Sequence, residues 1–213
     1  MNTDALIASL SEGLRPVARG AVGWRLAAGI AAGLFAAIVI LWLTLGFRPD
    51  LWLAMHGPTF WMKWGYSISL SATALYVSSR LARPQPDKLR SLWLLSLPVL
   101  ALAGVGIAEL ASTPRGEWLA MWLGKTWMVC PWLVLALSAP IFVGLLWSFR
   151  KLAPTRLRAA GAAAGLSAGA FAATIYCLHC PEVSAIFVLT WYSLGILLAA
   201  AIGALIGPRV MNW

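Results

Sequence analysis

The chain has 213 residues, 61% of them hydrophobic and only 11% charged, with a formal net charge of +9. Soluble domains carry near a quarter charged residues, so a mean hydropathy of +0.82 excludes that class and points to an all-α, polytopic membrane protein. In such a protein a basic excess is first a question of where the charges lie, and it carries no direct nucleic-acid role here.

Residues 1–25 read as a cytoplasmic tail and linker, and 26–213 as one transmembrane domain. In the tail, Thr3 or Asp4 can cap a helix over residues 3–15, and Leu6, Ile7, Leu10 and Leu14 recur at helical spacing until Pro16 stops it. An isolated helix of about twelve residues is marginal in water, so the stripe needs a surface. A bilayer or the chain's own loops would serve, and so would a protein groove, which amphipathic helices fill with anchors at this spacing. The tail also lacks the short apolar region and cleavage site of a secretory signal, so the first span is expected to be an uncleaved anchor.

A hydrocarbon core needs about 20 apolar residues per helix, and six segments fit: 26–47, 60–82, 91–111, 127–149, 159–178 and 186–206. With alternate loops assigned to one side, Arg15, Arg19, Arg25, Arg80, Arg83, Lys88, Arg90, Arg150, Lys151, Arg156, Arg158 and Arg209 share it, against Arg48, Lys63, Arg115 and Lys125 on the other. The positive-inside rule then places both termini in the cytoplasm. Most of the 13 tryptophans fall near span ends, as interfacial anchors do. Gly29 and Gly33, Gly161, Gly165 and Gly169, and Gly203 and Gly207 form small-residue stripes for close helix packing, within the chain or in a homo-oligomer.

All three cysteines gather at the outer surface. Cys177 and Cys180 flank Leu178-His179 in the last outer connection, and Cys130 opens the fourth span. Catalytic C-x-x-C pairs sit in surroundings that favour thiolate, whereas this one follows a helix C-terminus, whose partial negative charge disfavours it. Cys130 lies at a helix N-terminus near Lys125, which makes it the expected reactive thiol, with Cys180 on a flexible loop as its resolving partner. Buried packing, a redox switch and metal capture with His179 or His56 all remain open on composition alone. The spans hold almost no charge, which disfavours an ion-coupled transporter, and no enzyme motif is visible.

The tail Thr3-Asp4-Ala5-Leu6-Ile7 through Leu14-Arg15-Pro16-Val17, Cys130-Pro131, His179-Cys180-Pro181-Glu182, Trp191-Tyr192-Ser193-Leu194-Gly195 and Gly207-Pro208-Arg209 together resemble the NrsF family of membrane anti-sigma factors. The resemblance implies a six-span bacterial inner-membrane protein, not an enzyme, that holds an extracytoplasmic-function sigma factor inactive at the cytoplasmic face. It further implies that Cys130 and Cys180 perceive heavy-metal or oxidative stress, with at most a transient heavy-metal ion and no resident cofactor. Cys177 and His179 become auxiliary sensing or metal residues, and Asp4, Leu6, Ile7, Leu10 and Leu14 the sigma-binding element. The alternatives are a membrane thiol-disulfide oxidoreductase and a metal transporter.

Overall fold

A computed structural model gives the structure of residues 3, 6–7, 9, 20–81, 89–150 and 155–211. Asp4, Leu10 and Leu14 lie outside the described residues, while Thr3, Leu6, Ile7 and Ser9 are helical, with Leu6 and Ile7 exposed. Among the described residues there is no strand. Six long helices make up the domain: α1 (Ala21–Thr44), α2 (Pro58–Leu81), α3 (Ser96–Ser112), α4 (Cys130–Phe149), α5 (Leu157–Tyr176) and α6 (Ala185–Val210). Short helices at Leu51–Met55 and Trp118–Leu123 lie in the connections after α1 and α3.

Five of these helices are long and apolar enough to cross a membrane; α2, with 24 residues, is long enough but not apolar enough. The reason lies in its inward face. Lys63, Ser67, Ser71 and Ser78 are all buried, while Ile68 and Tyr76 are exposed. Polar groups turned into a bundle satisfy one another there, so composition understates how apolar the outer surface of α2 is.

The glycine stripes are spent inside the chain. A methyl group on Gly33 of α1 would stand 2.5 Å from the Ile141 Cα of α4, and one on Gly29 would strike the Gly144 backbone. Gly161 faces Gly203 and Gly207 across the α5–α6 contact, and a Cβ at Gly169 would come within 2.9 Å of the Ile196 Cα. Backbones approach this closely only where no side chain intervenes. Helix α5, rich in Ala and Gly, is therefore buried among α2, α4 and α6, and α3 is the most exposed of the apolar helices.

Antiparallel packing sorts the connections by end. Residues 45–57, 113–129 and 177–184 meet at one end, where the Arg48 N–H donates to the Leu178 carbonyl (3.1 Å) and His179 Nδ1 meets the Gly46 carbonyl (2.9 Å). At the opposite end the Ser148 hydroxyl donates to the Arg25 carbonyl (2.8 Å), and Gly207 packs on Leu157 and Gly161.

Candidate functional site

The connection between α5 and α6 does not hang free. After α5 the N–H groups of His179 and Cys180 both donate to the Tyr176 carbonyl at 3.0 Å, so the chain stays wound on the helix end. Cys177 and Cys180 therefore turn inward, and with Cys130 all three thiols are fully buried and unpaired. Where a flexible loop was expected at Cys180, the structure has this hydrogen-bonded turn.

Every neighbouring element then ties the connection down. Lys63 of α2, itself fully buried, donates from Nζ to the carbonyls of Cys180 (3.0 Å) and Glu182 (2.6 Å). The Glu182 carboxylate accepts from the N–H groups of Lys125 (2.7 Å) and Thr126 (3.2 Å) and from the Thr126 hydroxyl (3.2 Å), joining the connection to the segment that leads into Cys130. Glu109 of α3 accepts from the Ala185 N–H (2.8 Å) and the Ser184 hydroxyl (3.1 Å), a carboxylate at the positive end of α6. Gly124 permits the approach of Glu182: its φ is +56°, and a Cβ there would lie 2.6 Å from Glu182 Oε2.

The sulfurs of Cys130 and Cys180 lie within hydrogen-bonding reach of each other, beside Tyr176. The neighbouring Cys130 thiol, and then the nearby Lys63 ammonium, hold the Cys180 thiol below the ordinary thiol range against the opposing effect of burial. The sequence offered the positive end of α4 at Cys130; the structure adds a lysine from another helix beside Cys180, a contact that sequence spacing does not reveal. Cys177 is different, because burial pushes its thiol up to about 11, with Ser67 Oγ 3.9 Å away. A π-helical turn over Val188–Tyr192 sets Tyr192 beside Cys177 and Cys180, where its buried hydroxyl has no partner in hydrogen-bonding geometry. Such turns concentrate at functional positions.

His179 and His56 are engaged by carbonyls, that of Gly46 and that of Trp52 (2.8 Å). Among the described residues no group of three or more His, Cys, Asp and Glu side chains could hold a metal ion. The geometry offers a pair of thiols instead of a closed tetrahedral site.

The family model described as "Negative regulator of sigma F" matches residues 10–213. The chain belongs to the NrsF family. A curated relative from Azospira oryzae, "Probable anti-sigma-F factor NrsF", is 40% identical over 216 residues, covering 100% of both chains. "Anti-sigma-F factor NrsF" of Caulobacter vibrioides is 36% identical over 212 residues, covering 99% of this chain and 97% of that one. No solved structure matches. The NrsF family is regulatory rather than catalytic, as expected from the absence of an enzyme motif. Lys63, Glu182, Gly124 and Tyr192 were not singled out as site residues on sequence; a lysine and a hydroxyl-rich face inside an apolar segment were the only hints.

Proposed function

We propose that this protein is a bacterial inner-membrane anti-sigma factor that holds an extracytoplasmic-function sigma factor at its cytoplasmic face and releases it when Cys130 and Cys180 react on the outer side. Family membership supports the anti-sigma role. The basic end, with Arg25, Arg80, Arg150, Arg156, Arg158 and Arg209, supports a cytoplasmic location for both termini, and the inward polar face of α2 supports six spans. Asp4, Leu6, Ile7, Leu10 and Leu14 are the sigma-binding stripe, a reading favoured by the exposure of Leu6 and Ile7.

The observation that carries the sensing half is the buried Cys130–Cys180 pair inside a connection bonded to three other parts of the outer end. A two-electron oxidant takes two electrons as the two thiols lose two protons and form one S–S bond; a thiophilic metal ion instead displaces both protons and bridges the sulfurs. Either event redraws the geometry where α4, α5 and α6 meet. The close glycine contacts of these helices carry the movement inward, because packed backbones slide or separate instead of yielding. A thirty-fold loss of sigma affinity needs only about 2 kcal/mol of coupling.

The test is to solubilise the protein from its own membrane and identify co-purifying partners by mass spectrometry, comparing wild type with Leu6→Asp/Leu10→Asp. A sigma factor present in the first and absent in the second is the expected result. Retention in both moves the docking site to the cytoplasmic loops, and absence in both rejects the anti-sigma reading.

A further inference from the structure

An ammonium group with no exposure must find compensation inside the protein. Two of the three Lys63 donors are satisfied by the carbonyls of Cys180 and Glu182, both neutral acceptors. Among the described residues no carboxylate forms an ion pair with Lys63: Asp50 lies near enough to interact with its charge but is hydrogen-bonded to Arg48. The other groups around Lys63 that can become anionic are thiols, with Cys180 in its own turn and Cys177 one position past the end of α5. Lys63 also sits one helical turn from Ser67, so the inward face of α2 runs from this lysine past a hydroxyl directed at Cys177.

We propose that Lys63 is a positioning residue for the Cys180 sulfur: its ammonium clamps the Cys180–Glu182 turn through two carbonyls and is the counter-charge of that sulfur in its thiolate form. The placement fits both halves of this role. The carbonyl bonds fix where Cys180 stands relative to Cys130, and the buried charge, with no carboxylate in ion-pair contact, favours an anion in a site that excludes water. The direction of the Cys180 shift, in which Lys63 follows Cys130 as a lowering influence, agrees with it. The other titratable or charged groups facing Cys180 are Cys130 from α4, Tyr176 from α5, Cys177 just past its end, Tyr192 from α6, and Arg48, which reaches the Cys180 carbonyl at 3.4 Å. Of these, only Arg48 is cationic, and it is already paired with Asp50. The inference deepens the reading of Cys180 as the reacting thiol, yet it concerns chemistry measurable without any sigma factor.

The experiment measures the alkylation rate of Cys180 by iodoacetamide against pH, resolved from Cys130 and Cys177 by peptide mass spectrometry, in the full-length protein in detergent. Alkylation forms a C–S bond and releases iodide, and only the thiolate attacks. Lys63→Gln keeps hydrogen-bond donors for the two carbonyls but removes the charge; Lys63→Arg keeps the charge. The wild-type profile is expected to lie below that of an ordinary thiol. Lys63→Gln should move it up by about one pH unit, making alkylation at neutral pH about tenfold slower, and Lys63→Arg should restore most of the loss. An unshifted profile in Lys63→Gln overturns the proposal, as does an equal shift in both variants, which would mean that shape alone matters. Should Lys63→Gln fail to fold, a wild-type profile at the ordinary thiol position is itself sufficient to refute it. Failure of sigma capture with these profiles intact would instead count against the functional reading.

Discussion

Replacing Glu182 with alanine removes the joint between the thiol-bearing connection and the segment that opens α4. The carboxylate accepts one short bond from the Lys125 N–H at 2.7 Å and two longer bonds from Thr126 at 3.2 Å. Taking about 2 kcal/mol for the short charge-assisted bond and about 0.5 kcal/mol for each of the others, the loss is about 3 kcal/mol for this half-buried side chain. On the scale for a chain of this size that is a fall of roughly 6 to 12 °C in melting temperature, read from tryptophan fluorescence in detergent. Glu117→Ala, at an exposed position on the turn Arg115–Glu117, is the matched control. A second readout is the efficiency with which dibromobimane bridges Cys130 and Cys180, which should fall in Glu182→Ala because the two sulfurs are no longer held in register. Melting within a degree of wild type together with unchanged bridging would refute the view that Glu182 fastens the thiol-bearing connection.

Gly203→Leu drives a side chain into the Gly161 backbone and should cost about 1–3 kcal/mol by overpacking, whereas Gly104→Ala, with nothing within 4 Å of its added methyl, should melt like wild type. Tyr192→Phe removes a buried hydroxyl that has no partner in hydrogen-bonding geometry, so the variant should be at least as stable as wild type in the same melt. The Asp50 carboxyl is held below its usual range by the Arg48 guanidinium. That contribution is present above the ordinary carboxylate pKa and is lost as pH falls through the lowered value, so any melting difference between wild type and Asp50→Asn should close only in acid below the usual range. The difference should be small, because the Asp50 carboxylate is exposed.

Much of this was legible in the sequence because lipid imposes simple rules. Apolar length gave the helices, and the small-residue stripes gave the surfaces for close packing, but not which helices they pair, α1 with α4 and α5 with α6; Gly144 has no glycine partner at four-residue spacing in its own helix. The thiols were placed at one end correctly, but the cation beside Cys180 was not foreseen. A helix N-terminus is visible in sequence; a lysine arriving from α2 to pin a turn between α5 and α6 is a tertiary fact. The same holds for Glu182 and Glu109, which accept from backbone N–H groups of other elements. The π-helical turn at Val188–Tyr192 left no sequence signal, since neither Pro nor Gly marks it.

The most direct test of regulated sequestration is to quantify the sigma factor captured with the membrane-extracted protein before and after treatment with diamide, a two-electron thiol oxidant, in wild type and in Cys130→Ser/Cys180→Ser. The expected result is a sigma factor bound at rest, released from wild type by the oxidant and retained by the double variant. Equal release from both, or no sigma factor bound to either, would contradict it.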